Sequence, residues 1–281
     1  MLKSLAQFVS GALRHYLLAL QFFTRVPVTG RVAAWVGFSP AMLRASAAHF
    51  PGVGALVGAV VAGVSWLLLT YVPGPYAPLV AAVWGTAVGV LLTGAFHEDG
   101  LADVADGLGG SFERERALLI MKDSRVGAFG AIAVVLALLA KVSVLAVLGS
   151  LGSALLCAAL FAGHVVSRTW PLLTIRLLPH VGDDAGSKSK PLADQISGGS
   201  LLVAFAWCFG ALALILCAQA AISFVAMCAA LVASGLAWLL MWRWFAARLQ
   251  GFTGDCLGAT QQVCELAFYL GLCLSLGAQR I

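Results

Sequence analysis

Long apolar stretches separated by short polar connections dominate the hydropathy pattern of the chain. The apolar runs lie at about 52–72, 77–96, 127–148, 151–178, 200–220, 222–245 and 257–278. Each is close to the ~20 residues that an α-helix needs to cross a bilayer. They are apolar on all sides and rich in Gly and Ala, whereas membrane barrel strands would alternate apolar and polar positions. The pattern predicts an all-α, polytopic membrane bundle of about six to seven transmembrane helices, and the fourth run is open to a break at Pro171.

The first segment of the chain differs from these runs. Residues of about 4–24 are apolar but interrupted by Arg14 and His15, which is typical of an amphipathic helix lying at the membrane interface. No small-residue cleavage site follows it, so we expect no removable signal peptide. We interpret the chain, 1–281, as a single integral membrane domain.

The composition supports this picture and narrows the function classes. The chain is 61% hydrophobic and only 10% charged, with a mean hydropathy of +0.97, which argues against a soluble protein. A net charge of +5 is too weak and too scattered to indicate nucleic acid binding. The seven cysteines form no CxxC pair, and we interpret them as small packing residues.

The charged residues are distributed unevenly among the connections. Residues 71–78, 148–152 and 218–223 carry no charge, whereas the other connections hold nearly all Lys and Arg. Cytoplasmic loops of membrane proteins are enriched in Lys and Arg. We therefore expect the N-terminus and residues 94–110 on the cytoplasmic side and, with seven spans, the C-terminus outside.

The segment 94–110, GAFHEDGLADVADGLGG, contains several acidic residues and no basic residue that would balance their charge. Glu98, Asp99, Asp103 and Asp106 lie here, while no Lys or Arg occurs between Arg44 and Arg114. At 100° per residue, the three aspartates share one face of a helix over 98–110, and Glu98 points away from it.

Protonation of some carboxylates, a solvated acidic face or a bound cation would each account for this cluster, and the cation is favoured because a solvated face typically mixes both signs of charge. Two carboxylates about 6 Å apart repel by roughly 3 kcal/mol at an effective dielectric of 20. Oxygen ligands suit Mg²⁺, which binds one or two carboxylates together with water and substrate phosphates. The spacing predicts a Mg²⁺ site, with Mn²⁺ as substitute, whose ligands are Asp99, Asp103 and Asp106.

A second polar cluster ends the segment 113–130. Ser124 can cap the helix that follows, and the N-terminus of that helix is an anion site. Lys122 and Arg125 add positive charge suited to phosphate. Asp123 fits beside a phosphate only if a metal bridges the two, which makes it a further candidate metal ligand.

Polar residues also interrupt later apolar runs. Arg168 lies deep in the fourth run beside Ser167, and facing the acidic site is the economical way to offset a charge at that depth. Lys141 can reach headgroups or the interior. Asp255 either caps the last helix or completes the polar site.

At this point the residues resemble a known family. The chain is similar to the cobalamin-5′-phosphate synthases, also called adenosylcobinamide-GDP ribazoletransferases, over most of its length and in family order. The motifs that carry the resemblance are FFTRVPV (22–28), HEDGLADVADG (97–107), MKDSRVGAFG (121–130), SRTWP (167–171) and GDCLGA (254–259). Glu98 stands where the resemblance leads us to expect an apolar residue.

The resemblance implies a Mg²⁺-dependent transferase of the bacterial inner membrane with a cytoplasmic active site. Its ribose hydroxyl nucleophile belongs to α-ribazole or α-ribazole phosphate. The hydroxyl attacks the pyrophosphate of adenosylcobinamide-GDP, displaces GMP and gives adenosylcobalamin or its phosphate. The lipid bilayer is a further partner, no nucleic acid is expected, and the sequence leaves a homo-oligomer open.

The resemblance also implies roles for particular residues. Asp99, Asp103 and Asp106 are the implied metal ligands, Asp123 is a further candidate, and His97 or one of the aspartates takes the hydroxyl proton. The candidate phosphate and substrate contacts are Arg25, Lys122, Arg125, Ser167, Arg168 and Asp255.

Three alternatives remain open on the sequence. CDP-alcohol phosphotransferases have a related acidic motif, but theirs carries an Arg that this chain lacks. A cation- or proton-coupled transporter would show inverted repeats and acids near the bilayer midplane, and neither is clear here. A structural membrane protein leaves the acidic cluster and Arg168 unexplained.

Overall fold

The computed structural model describes residues 2–182, 195–218 and 222–278, and in these ranges the chain is built from α-helices. A short parallel pairing joins residues 179–181 to Phe252, whose N–H donates to Pro179 O at 3.0 Å. The predicted all-α membrane bundle is confirmed. The helices are α1 Leu2–Phe23, α2 Gly30–Val36, α3 Pro40–Ser46, α4 Phe50–Tyr71, α5 Ala77–Thr93, α6 Phe96–Gly110, α7 Arg114–Met121, α8 Ala128–Leu151, α9 Ser153–Leu177, α10 Gly198–Cys217, α11 Phe224–Arg248 and α12 Gly254–Ala278.

Five helical segments of the described residues are long and apolar enough to cross a bilayer. A sixth results when α5 and α6, which meet at a bend of 89°, are counted as one broken span. The predicted seventh run is the helix α12, which is not among these segments. The candidate spans are Pro40–Tyr71, Ala128–Leu151, Ser153–Leu177, Gly198–Cys217 and Phe224–Arg248.

The break at Pro171 that the sequence left open does not occur. The helix α9 continues through Pro171 to Leu177. A proline removes one backbone hydrogen bond, and membrane helices tolerate this loss where neighbouring helices enclose them. Here α9 is buried along most of its length and packs against α4 and α12, so its surroundings hold it in one piece.

The bend between α5 and α6 has a local backbone cause. Gly94 and Ala95 both adopt the left-handed conformation, with φ of 66° and 58°. Their N–H groups donate to Leu91 O at 3.2 Å and to Val90 O at 2.9 Å, which closes the C-terminus of α5. The chain then restarts as α6 at Phe96, almost perpendicular to α5. This places the acidic residues on a separate helix.

Candidate active site

Two free carboxylates lie on one face of α6. Asp99 is exposed and Asp103, one turn later, is half-buried. Neither side chain makes a hydrogen bond or an ion pair within the described ranges of the chain. The groups that act electrostatically on Asp103 are Asp255, Asp99 and Asp106, with no Lys or Arg among them. The face therefore carries carboxyl groups that no basic side chain of the described residues neutralises.

The last helix brings a further carboxylate to this face. A Cβ atom on Gly100 would lie 2.7 Å from the carbonyl oxygen of Asp255, so only glycine allows α6 to approach the start of α12 so closely. Thr253 Oγ1 accepts the N–H of Cys256 at 3.5 Å and donates to Asp255 Oδ2 at 3.2 Å. Thr253, rather than Asp255, thus caps α12. This arrangement favours the alternative in which Asp255 completes the polar site.

Asp106 contacts the start of α8 through both of its carboxylate oxygens. The N–H of Gly127 donates to Oδ2 at 2.7 Å and the N–H of Gly130 donates to Oδ1 at 2.8 Å. Two of the free N–H groups at the N-terminus of α8 are satisfied in this way. The anion that the sequence led us to expect at this helix end, a phosphate, is replaced in the structure by the protein's own carboxylate.

This contact predicts a specific sensitivity at Gly130. A Cβ atom there would overlap the Asp106 carboxylate and lie 2.9 Å from Ala102 O. We expect Gly130→Ala to lower the free energy of unfolding by about 1–3 kcal/mol, because α6 and α8 must separate. Thermal unfolding in detergent measures the loss. The matched control is Gly63→Ala, where a Cβ meets nothing within 4 Å, and equal stability of both variants would contradict the contact.

The residues 122–125 form an exposed turn between α7 and α8. Arg125 Nε donates to Asp123 Oδ1 at 2.9 Å, and this guanidinium lowers the pKa of Asp123 to about 2. Asp123 is not among the groups that act on Asp103. Lys122 is exposed just after α7. The structure thus places these three predicted residues together, but it does not bring Asp123 to the carboxylates of α6.

Arg25 lies at the bend that precedes the acidic helix. Its N–H donates to Leu92 O at 2.7 Å, and its exposed side chain passes directly over Gly94. A cation is therefore available near the beginning of α6, as a phosphate contact would require.

Arg168 and Ser167 lie inside the bundle and away from the three aspartates. Arg168 is 2% exposed, and its Nη1 lies 2.9 Å from His164 Nδ1 and donates to His164 O at 3.0 Å. The charges that act on it are those of Glu265 and Glu98, together with Tyr269. The structure does not pair Arg168 with the acidic face that the sequence suggested.

A buried network surrounds these residues. Lys141 Nζ lies 2.6 Å from Glu265 Oε1, so Lys141 turns to the interior rather than to the headgroups. Tyr269 OH donates to the same oxygen, Oε1, at 2.9 Å, and Gln261 Nε2 donates to Oε2 of Glu265 at 2.6 Å. Gln261 Nε2 also donates to Ser167 Oγ at 3.0 Å. Sequence reasoning missed Glu265 as the centre of this network, although it was available as the acid of the last apolar run.

His97 and Glu98 connect α6 to the same interior. His97 is 1% exposed, its ring stacks on Phe50, and its Nε2 has no hydrogen-bond partner in the described part of the chain. Glu98 Oε1 accepts from Gln262 Nε2 at 2.9 Å. Both side chains therefore point inward, whereas Asp99 points outward from the next position.

The donor set fits a divalent ion that is completed by a substrate. Within the described ranges, no three His, Cys, Asp or Glu side chains converge closely enough to hold a metal by themselves. Asp99 and Asp103 nevertheless offer free carboxylate oxygens on one face, next to Asp255. Mg²⁺ commonly takes one or two carboxylates and fills the remaining positions with water and substrate phosphates, so the residues present suit it.

Comparisons with known proteins agree on one family. A family model described as cobalamin-5-phosphate synthase matches residues 15–273. A protein of Albidiferax ferrireducens named adenosylcobinamide-GDP ribazoletransferase is 69% identical to this chain over 280 residues. The match covers 95% of this chain and 100% of that protein. Proteins of that name from Polaromonas naphthalenivorans and Leptothrix cholodnii are 62% and 48% identical, over 94% and 92% of this chain and 99% and 94% of theirs. No solved structure matches.

Proposed function

The chain belongs to the cobalamin-5-phosphate synthase family, and from this premise we propose that it is a Mg²⁺-dependent transferase of the bacterial inner membrane. It joins α-ribazole, or α-ribazole phosphate, to adenosylcobinamide-GDP. GMP leaves, and the product is adenosylcobalamin or its phosphate.

The observation that supports this reaction is the free carboxylate face of Asp99 and Asp103 beside Asp255. A pyrophosphate carries negative charge that would be repelled here unless a cation lies between. A Mg²⁺ or Mn²⁺ ion held by Asp99 and Asp103 supplies charge neutralisation for the pyrophosphate and for the leaving GMP. Each oxygen of Asp106 keeps a further lone pair beyond its bond to α8, so Asp106 can also contribute.

Basic residues border the same helix. Arg25 lies at the beginning of α6, and Arg125 and Lys122 lie before α8, whose N-terminus Asp106 contacts. We assign them to the phosphates, because a guanidinium group binds two phosphate oxygens at once and the ammonium group of Lys122 adds positive charge. Ser167 would act from the interior by holding α9 against α12 through its hydrogen bond with Gln261, and Arg168 would do so through the charge of Glu265.

The hydroxyl proton passes to one of the aspartates in this proposal. His97 was the other candidate, but its Nε2 lies within the bundle and its ring is closed off by Phe50. An aspartate on the open face can be reached by a substrate hydroxyl without moving α6.

The membrane location is supported by the five or six apolar helices of the described residues. The helix α7 and the turn that follows it carry Arg114, Arg116, Lys122 and Arg125, and such enrichment in Lys and Arg is typical of the cytoplasmic side. The active site would accordingly face the cytoplasm, where nucleotide substrates are present.

Release of GMP tests the activity and its metal dependence together. Purified protein in detergent is incubated with adenosylcobinamide-GDP and α-ribazole, and GMP is quantified. We expect GMP release with Mg²⁺, its loss in EDTA, and recovery with added Mg²⁺ or Mn²⁺. Release that persists in EDTA would contradict the metal site. CMP release from a CDP-alcohol, or ion flux without nucleotide, would instead support the other two functions.

A further inference from the structure

A large open groove lies apart from the acidic site. It runs between α1, the beginning of α4 and α10, and its volume is about 910 Å³. None of the carboxylates of α6 or α12 lines it. Most of its walls are small or apolar side chains, among them Gly11, Ala12, Ala48, Val203, Gly210 and Leu214.

The groove extends along the membrane depth of α10. Its lining residues on that helix run from Gly199 to Leu214, a rise of roughly 22 Å at 1.5 Å per residue. One leaflet of the hydrocarbon core is about 15 Å thick. The groove therefore begins at the first turn of α10 and continues past the depth of one leaflet, alongside two of the candidate spans.

A basic pocket opens at the beginning of this groove. Its volume is about 370 Å³, and Arg44 and Arg176 line it together with Ser197 and Ser200. Both serines also line the apolar groove, so the two cavities adjoin each other. Both arginines are exposed, and neither guanidinium has a hydrogen bond or an ion pair within the described part of the chain.

We propose that the groove and the basic pocket together bind one anionic phospholipid. Its phosphate lies between Arg44 and Arg176, and one acyl chain runs along α10 towards Leu214. Guanidinium groups recognise phosphate oxygens bidentately, and basic residues at the cytoplasmic surface attract anionic headgroups. A free phosphate would fill the basic pocket alone, and a zwitterionic phospholipid would bring its own headgroup cation next to the two guanidinium groups. An anionic phospholipid matches both parts.

This site is independent of the transfer reaction. The lipid would fill the space between the interfacial helix α1 and the bundle helix α10, so it would hold α1 against the bundle. Loss of the lipid would leave the carboxylates of α6 in place.

Photolabelling with a lipid of defined headgroup tests the site. The full chain is reconstituted in phosphatidylcholine vesicles that contain a trace of phosphatidylglycerol with a photoactivatable acyl chain, and labelled peptides are identified by mass spectrometry. We expect labelling within residues 203–214. In the double variant Arg44→Gln/Arg176→Gln this labelling should be about tenfold weaker. The control pair Arg31→Gln/Arg116→Gln removes the same charge from exposed positions elsewhere and should keep it.

A second pair of variants tests the apolar part. A Cβ on Gly210 meets nothing within 4 Å, so Gly210→Leu can fill the groove without a clash and should reduce labelling. Gly63→Leu, at an equally open position outside the groove, should not. The proposal would be overturned if each test variant were labelled as strongly as its control, or if a phosphatidylcholine probe labelled the protein as strongly as the phosphatidylglycerol probe. Displacement of the probe by α-ribazole phosphate would also overturn it, since the pocket would then be a substrate site.

Discussion

Replacing Asp103 by Asn is expected to reduce GMP release by about 1,000-fold while the protein stays folded. The carboxylate of Asp103 lies among those of Asp99, Asp106 and Asp255. An amide at this position keeps the shape but removes the charge that attracts Mg²⁺. Because Asp103 makes no hydrogen bond within the described residues, its loss leaves no buried partner unsatisfied, and stability should change little.

Two measurements separate this effect from a structural one. Turnover is followed by GMP release, and Mn²⁺ binding is followed by electron paramagnetic resonance. Asp103→Asn should lose both and unfold at the wild-type temperature, whereas Glu115→Gln, on the exposed face of α7, should lose neither. Normal turnover in Asp103→Asn would refute the metal site. Asp106→Asn should differ by also losing stability, because both of its oxygens accept N–H groups of α8.

Most of the architecture could be predicted because membrane spans are determined by length and apolarity. The predicted run 127–148 and the helix Ala128–Leu151, for example, differ by only a few residues. The 89° bend before α6 could not be predicted. It depends on Ala95 in a left-handed conformation, which non-glycine residues rarely adopt, and hydropathy carries no information about it.

In the candidate site, too, the arrangement within one helix could be predicted from the sequence, whereas the contacts between helices could not. Helical periodicity relates positions within one helix, so it placed Asp99 and Asp103 on one face correctly as neighbours. It could not show that Asp106 would contact α8 or that Gly100 would let Asp255 approach. Those contacts depend on how separate helices pack, and the periodicity within one helix does not reveal this.

For Arg168, the expectation that a buried charge needs a counter-charge was correct, but the expected source of that counter-charge was not. A buried guanidinium does need compensating charge, and the acidic cluster was the obvious source. In the structure Glu265 of α12 acts on it, and of the acidic residues of α6 only Glu98 does, while the three aspartates do not. Glu265 in turn contacts Lys141 of α8. Charges that looked isolated in three different apolar stretches thus compensate one another across the bundle.

Replacing Glu265 by Gln is expected to lower the free energy of unfolding by about 3–5 kcal/mol. Glu265 is 1% exposed and is the ion-pair partner of Lys141, at 2.6 Å. A glutamine would leave the ammonium group without a counter-charge. It would also turn an amide N–H₂ towards Gln261 or Tyr269, both of which donate to Glu265 now.

This loss of stability should be seen as a lower unfolding temperature in detergent and as a smaller yield of monodisperse protein. A second substitution identifies which lost interaction causes it. If the unpaired charge of Lys141 is responsible, Lys141→Met in the Glu265→Gln background should restore most of the stability, because a buried ion pair can be replaced by residues of similar volume at little cost. Stability of the double variant as low as that of Glu265→Gln would show that the ion pair between α8 and α12 is not the cause, and that the lost hydrogen bonds from Gln261 and Tyr269 within α12, or the uncompensated charge of Arg168, account for the effect.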